Sequence, residues 1–145
     1  MMVAKMLDGD RQFRAVHRTY VGVDGSGKAD VAKPKMTLGP TRGAVIPLAE
    51  PGPELVVSEG IENGLSLGDM LGLPAWAAGS AGNLAHLPLP SIVERVVIAA
   101  DRDESGIGQR KAEAAAGLWT RQGRRVRIML PPAGFADWND AARYG

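Results

Sequence analysis

The 145-residue sequence contains no cysteine. This absence excludes disulfides, zinc knuckles and thiol catalysis within the chain, and it is compatible with a reducing compartment. No apolar run approaches the roughly 20 residues that a membrane-spanning helix needs, and residues 1–7 are too short and too polar for a signal peptide. We therefore expect a cytoplasmic protein without a membrane partner. The formal net charge of +1 gives no overall field that would attract nucleic acid.

The composition is that of an ordinary folded protein. Hydrophobic residues make up 45% and charged residues 23%, while 19 glycines and 10 prolines indicate many tight turns between short elements. The length suffices for one domain with a core and an appended hairpin. The first 50 residues hold eight lysines and arginines against five acidic residues, so this part is mildly basic.

The most informative stretch runs from Val96 to Gly106. Five apolar residues, 96–100, lead into Asp101 and Asp103 and then into a Ser-Gly pair. This pattern predicts a buried parallel strand that ends in an acidic turn and opens a helix. The acids would lie at the carboxyl edge of a sheet, where ligands bind in open α/β folds. Two carboxylates so close together favour a facing cation, and Mg²⁺ is the natural candidate.

From residue 55 onward, apolar strands alternate with helices. We predict strands at 55–58, 75–78, 91–100 and 126–130, and helices at 61–71, at 107–121 and from 137, the last cut short at Gly145. This alternation predicts a Rossmann-like, mostly parallel four-stranded sheet with helices on both faces. If the first and third strands are neighbours, Glu59 converges with Asp101 and Asp103.

Residues 1–50 predict a small β-hairpin subdomain and an extended basic segment. The strand at 13–23 runs into a turn at 24–27, and a Gly/Pro-punctuated segment, 33–43, leads to a short strand at 44–48. Gly22 to Lys28 has the spacing of a phosphate-binding P-loop. Ala29 replaces the metal-binding hydroxyl and Pro34 blocks the required helix, so we favour the hairpin.

Two long motifs resemble the Toprim domain. They are Leu-Val-Val-Ser-Glu59-Gly60 and, about forty residues later, Val-Val-Ile-Ala-Ala-Asp101-Arg-Asp103-Glu-Ser-Gly106. Within that family the pattern is similar to the Toprim portion of phage- and plasmid-type primases. The features that carry this similarity are Glu-Gly-Ile-Glu at 59–62, Leu-Pro-x-Trp-Ala at 73–77, Asp-Trp-Asn-Asp at 137–140, and the upstream Asp-Gly-x-Gly-Lys and Lys-x-x-x-Gly-Pro segments. The resemblance covers 54–143, and residues 1–50 resemble the end of a primase core.

The resemblance implies a set of roles. Asp101 and Asp103 would bind Mg²⁺, with Mn²⁺ as a substitute, and Glu59 would complete the coordination or move a proton at a ribose oxygen. Asp137 and Asp140, on a looser match, would supply an outer-shell or second-ion ligand. The implied activity is RNA primer synthesis, with single-stranded DNA and nucleoside triphosphates as partners and a separate helicase for unwinding. The candidate phosphate contacts are Lys28, Lys35 and Arg42.

Other interpretations stay open. Within the Toprim family, the chain could be a stand-alone metal-dependent nuclease or a non-catalytic module that binds nucleic acid or protein. A haloacid-dehalogenase-type hydrolase is disfavoured because no convincing set of further catalytic residues follows Asp103. Taken singly, Asp103 and Asp140 are ordinary turn or cap residues, and cations on loops are commonly solvated. We predict structural roles for the remaining conspicuous side chains, which are Glu62, His17, His86, Trp76, Trp119 and Trp138.

Overall fold

The structure is a computed structural model that describes residues 1–25 and 27–144. The strands are β1 Met2–Leu7, β2 Phe13–Thr19, β3 Lys35–Leu38, β4 Ile46–Pro47, β5 Glu54–Ser58, β6 Ala75–Ala77, β7 Arg95–Ala99 and β8 Arg125–Met129. The helices are α1 Ile61–Leu71, α2 Ile107–Arg121 and α3 Trp138–Tyr144, with a 3₁₀ helix at Ala81–His86. Ser26 of the predicted turn and Gly145, where we expected the last helix to stop, lie outside the described residues.

The larger sheet has the strand order β4-β6-β5-β7-β8. Strands β6, β5, β7 and β8 are parallel, which confirms the predicted parallel sheet. The sequence pattern predicted four strands, whereas the structure adds β4 as a fifth, antiparallel edge strand next to β6. The strand predicted at 44–48 is only two residues long here, because only Ile46 and Pro47 pair with β6.

Helices cover both faces of this sheet, as predicted. On one face, Leu55 and Val57 pack with Trp119 of α2 and with the 3₁₀ helix. On the other face, Val56 packs with Leu67 of α1 and with α3. Successive side chains of a strand point to opposite faces, so consecutive apolar residues are required in a sheet that is covered twice. Trp76, Trp119 and Trp138 are all buried, in agreement with the predicted core roles.

The smaller sheet has the order β1-β2-β3 and is antiparallel. The predicted strand at 13–23 ends at Thr19, and Val21 forms only an isolated bridge to Lys28. Residues 29–34, directly after Lys28, are not helical, in agreement with our rejection of the P-loop. Strand β1 was not predicted, and part of the expected extended segment forms β3. Both strands exist because each pairs with β2, a long-range interaction that periodicity within one segment does not reveal.

An apolar cluster joins the two sheets. Met6 and Ala15 of the small sheet pack with Ile46 and with Ile61 and Ala77 of the larger unit. The buried positions of β2 alternate at Ala15, His17 and Thr19, so these side chains face the larger unit. The small sheet is therefore held beside the carboxyl edge of the parallel sheet. Within the described residues, no helix has the length and apolar character needed to cross a membrane.

Candidate active site

The two central strands bring the predicted acids to one edge. Strands β5 and β7 are parallel neighbours with Ser58 opposite Ala99, so Glu59 and Asp101 both follow strand ends at the carboxyl edge. A small cavity at this edge is lined by Glu59, Asp101 and Asp103 together. The adjacency on which the predicted convergence depended is therefore present in the structure.

Asp101 is the partly buried member of this group. The pKa of Asp101 is raised from 3.8 to about 6, first by burial and then by the negative charges of Glu59, Asp137 and Asp103, against a smaller opposing effect of Lys35. Burial and like charges both disfavour the ionised carboxyl. The edge therefore carries negative charge that its own cations do not neutralise.

Asn63 positions Asp101 and was not predicted as a site residue. Its Nδ2 donates to Asp101 Oδ1 at 2.5 Å, and its Oδ1 accepts a hydrogen bond from the backbone N–H of Asn139 at 3.0 Å. The side chain is only 7% exposed, although it stands on α1. Asn63 thus links α1, the end of β7 and α3. The one indication of this role in the sequence was that a polar residue occupies a position of the α1 helix that is buried.

Asp103 is exposed and caps α2. Its Oδ2 accepts hydrogen bonds from the backbone N–H of Gly108 at 3.1 Å and from the Ser105 hydroxyl at 3.2 Å. Gly106 is the N-cap residue with φ 64°, a left-handed conformation that favours glycine. The capping role that we considered for Asp103 taken singly is therefore present, and the same carboxylate lines the cavity with Glu59.

Asp137 and Asp140 differ in their relation to this edge. Asp137 lines a cleft together with Glu59 and Asp101, and its Oδ1 accepts the backbone N–H of Asp140 at 2.8 Å. Asp140 lies in the first turn of α3 and is not among the residues lining that cleft. The structure thus brings Asp137, but not Asp140, to the acidic edge.

The small sheet supplies the opposite wall of this cleft. We call it the interdomain cleft, and its lining residues are His17, Lys28, Lys35, Glu59, Gly60, Glu62, Asn63, Gly79, Asp101 and Asp137. Its cavity volume is about 130 Å³. Small-molecule sites fall in the range of roughly 300–1,000 Å³, so the cleft by itself does not enclose a whole nucleotide.

Glu62 holds the two lysines of the cleft. Lys35 Nζ lies 3.0 Å from one carboxylate oxygen of Glu62, and Lys28 Nζ lies 3.8 Å from the other. Burial pushes the pKa of Glu62 up, but hydrogen bonds from its own backbone and from Lys35, with the charges of both lysines, lower it overall. Glu62 was predicted to be structural, and its partners are the cations that we had singled out for phosphate binding.

Arg42 lies apart from Lys28 and Lys35. It lines a separate shallow cavity with Ser80, Asn83 and His86, around the 3₁₀ helix. Asn83 fixes this region, since it accepts the Gly43 N–H at 2.9 Å and donates to Ala44 O at 2.7 Å. The three predicted phosphate contacts therefore form one pair and one separate cation.

The carboxylate oxygens at this edge are ligands that suit a hard cation, but the side chains do not already surround a metal position. Within 1–25 and 27–144, no group of three or more histidine, aspartate or glutamate side chains is close enough to hold a metal ion as it stands. Asp101 nevertheless lies among carboxylates that raise its pKa, which is the electrostatic condition that a bound cation relieves. Mg²⁺ commonly keeps several waters and takes one or two protein carboxylates, so Asp101 and Asp103 fit it.

Fold and site together define an α/β protein with a carboxylate cluster at the carboxyl edge of its parallel sheet. Residues 54–145 match the family model described as a Toprim domain, and residues 1–48 match a model described as a domain of unknown function. The chain belongs to the Toprim domain family.

Solved structures similar to this fold include primase domains. A DNA primase domain from Pseudomonas aeruginosa is 19% identical with a TM-score of 0.63, over 96% of this chain and 45% of that one. A DnaG primase catalytic domain bound to ssDNA is 17% identical with a TM-score of 0.64, over 97% and 47%. A chain from a structure of bacteriophage T7 lagging-strand DNA polymerase interacting with primase domains is 19% identical with a TM-score of 0.55, over 97% and 72%. The chain thus spans about half the length of the first two.

Proposed function

We propose that this chain is the Toprim catalytic portion of a DNA primase of the phage or plasmid type, and that it supports Mg²⁺-dependent synthesis of RNA primers. The observation that carries the proposal is the parallel pairing of β5 and β7, which brings Glu59 and Asp101 to one edge facing Lys28 and Lys35. In the same proposal, residues 1–50 form the end of the primase core and residues 54–143 form the Toprim domain.

Asp101 and Asp103 would hold the metal, with Mn²⁺ able to replace Mg²⁺. The chemistry that a bound divalent ion supplies is neutralisation of charge on the attacked phosphate and orientation of the leaving group. Asn63 orients Asp101 through its amide, so that one carboxylate oxygen is fixed by hydrogen bonding. Asp137 is the candidate outer-shell or second-ion ligand because it lines the cleft, and the same role for Asp140 stays a prediction.

Glu59 is the candidate proton acceptor. Its side chain is exposed at the mouth of the edge, where a substrate ribose hydroxyl can approach it. A general base must come within hydrogen-bond reach of the proton that it removes. Alternatively, the Glu59 carboxylate completes the coordination of the ion. In either role the carboxylate would contact the reacting atoms.

Lys28 and Lys35 are the candidate phosphate contacts within the cleft, and Arg42 is a more remote contact for the template strand. Arginine and lysine contacts to phosphate position a nucleic acid without reading its sequence. The proposed partners are therefore single-stranded DNA and nucleoside triphosphates, with unwinding supplied by a separate helicase. We propose that the protein acts in the cytoplasm.

The test is primer synthesis on single-stranded DNA with Mg²⁺ and the four ribonucleoside triphosphates. The proposal expects RNA products from the wild type, none from Asp101→Asn/Asp103→Asn, and normal products from Asp69→Asn, an exposed aspartate on α1. Shortening of the DNA without RNA products would support the nuclease alternative instead. Binding of DNA with neither reaction would leave the non-catalytic module.

A further inference from the structure

Strand β8 forms one edge of the larger sheet and leaves one side of its backbone unpaired. It is the last strand in the sheet order, and among the described residues it pairs only with β7. The N–H of Arg125 and the C=O of Met129 form hydrogen bonds with residues that flank β7. Backbone groups alternate in direction along a strand, so the N–H and C=O groups of Val126 and Ile128 point away from β7. The outer side of β8 therefore offers donors and acceptors for a further strand.

The two faces of β8 differ in their chemistry. Val126 packs against the core beneath α2, whereas Met129 packs on the opposite face with α1 and α3. Because side chains alternate along a strand, Arg125 and Arg127 share the face of Met129. Ile128 lies on the face of Val126, and its side chain is 36% exposed. A strand added to β8 would therefore meet arginines on one face and an apolar side chain on the other.

The arginine face carries more positive charge than its own acid neutralises. Arg125 and Arg127 line a shallow cavity together with Glu54 and with Arg95, which stands opposite Arg125 in the strand register. A Glu54 carboxylate oxygen lies 3.2 Å from Arg95 Nε, and the other lies 4.0 Å from Arg127 Nη2. Arg125 is exposed and has no ion pair within the part of the chain that the structure describes. Three arginines share one carboxylate, which favours a partner that brings carboxylates of its own.

A second copy of β8 does not supply this negative charge. Residues 124–136 contain no aspartate or glutamate, so two β8 strands paired edge to edge would bring their arginines together without an acid. Like charges directly opposite each other across two strands are destabilising. A nucleic acid would meet the arginines with its phosphates, but it has no peptide groups to pair with Val126 and Ile128. An acidic polypeptide strand satisfies both requirements.

We infer that β8 is a docking edge for an extended acidic segment of a partner protein, which adds to the sheet as a further strand. Acidic and apolar residues alternate in this segment, so that its carboxylates lie beside Arg125 and Arg127 and its apolar side chains lie beside Ile128. In strand addition, backbone hydrogen bonds supply affinity and alternate side chains supply selectivity. Arg125 begins β8, at the end of the sheet away from Glu59 and Asp101. The inference therefore does not depend on the proposed reaction.

The first experiment uses a synthetic peptide of alternating glutamate and valine, with a peptide of alternating lysine and valine as its control. We expect saturable binding of the glutamate peptide alone, measured by fluorescence anisotropy. Hydrogen exchange at the amides of Val126 and Ile128 should slow when this peptide is bound, with a much smaller effect at Arg127, whose N–H already faces β7. Binding without slower exchange at Val126 and Ile128 would overturn strand addition. Absence of binding would overturn the docking edge and leave the arginines as charges that keep sheet edges apart.

Variants separate the backbone contribution from the charge contribution. Proline is tolerated on an edge strand where its nitrogen faces outward, so Ile128→Pro keeps the bonds of β8 to β7 and removes one outer donor. We expect it to bind the glutamate peptide roughly tenfold more weakly. Circular dichroism checks its fold, and if it unfolds, the exchange data on the wild type decide the question.

Arg125→Gln/Arg127→Gln should bind the glutamate peptide several-fold more weakly, with a smaller dependence on salt. Arg14→Gln, which changes an exposed arginine of the small sheet, is the matched control and should bind like the wild type. Equal peptide binding by the double variant and the wild type would overturn the inference. If the double variant instead lost affinity for single-stranded DNA alone, the arginine face would be assigned to nucleic acid.

Discussion

The raised pKa of Asp101 predicts that Asp101→Asn stabilises the metal-free protein at neutral and alkaline pH. The folded state binds a proton at Asp101 with a pKa of about 6, against an ordinary value of 3.8. The folded state therefore holds more protons than the unfolded state between these values, so wild-type stability falls as the pH rises through this window. The loss is complete above about pH 7. Asparagine carries no charge, and its Oδ1 can still accept the hydrogen bond from Asn63.

The size of the effect follows from the same two values. A pKa difference of one between the folded and unfolded states corresponds to about 1.4 kcal/mol of unfolding free energy. The difference at Asp101 therefore gives about 3 kcal/mol as an upper bound. Because Asp101 is partly exposed, solvent screening reduces this, and we expect about 1 to 1.5 kcal/mol at pH 8. For a chain of this size, that corresponds to an increase in Tm of roughly 3 to 5 °C.

The assay is thermal unfolding in EDTA between pH 4 and pH 8, with wild type, Asp101→Asn and the exposed control Asp69→Asn. The Tm difference between Asp101→Asn and wild type should be near zero at pH 4 and largest at pH 8, while the control should follow the wild type throughout. A difference that is absent at pH 8, or that grows toward pH 4, would refute the electrostatic account of the acidic edge.

Three further predictions concern the supports of the site. Asn63→Ala should lower the free energy of unfolding by about 1–3 kcal/mol, because it leaves buried polar groups without their partner, and a urea titration measures this. Glu62→Gln should bind single-stranded DNA several-fold more tightly with a steeper salt dependence, because it frees the two lysines of the cleft. Fluorescence anisotropy at several salt concentrations measures this, and binding equal to that of the wild type would show that those lysines do not meet DNA. Gly64→Ala should destabilise the protein despite the better helix propensity of alanine, since its Cβ would lie 2.6 Å from Ser58 Oγ. Gly117→Ala faces only a flexible side chain and should stabilise the protein by about 1 kcal/mol in the same urea assay.

The sequence was most informative where local pattern and burial agree. The bounds of α1 and α2 match the predicted ranges, because their apolar spacing and end signals act within one segment. Gly123, predicted to end α2, has φ +89° and lies directly after its C-cap residue. Strand alternation predicted the parallel sheet but left open whether β5 and β7 are neighbours; their pairing in the structure is what places Glu59 next to Asp101.

What the sequence did not reveal depends on contacts between distant segments. Asn63 and Glu62 are polar residues on a helix, and their partners come from α3, from the end of β7 and from the small sheet. Strand β1 exists because it pairs with β2 and buries Met6 against its neighbours.

The central claim is that the carboxyl edge of the parallel sheet is a divalent metal site. Its most direct test is a calorimetric titration of Mg²⁺, repeated with Mn²⁺, into the wild type and into Asp101→Asn/Asp103→Asn. The account predicts saturable binding by the wild type and none by the double variant. Absence of binding by the wild type, or equal binding by both proteins, would contradict it.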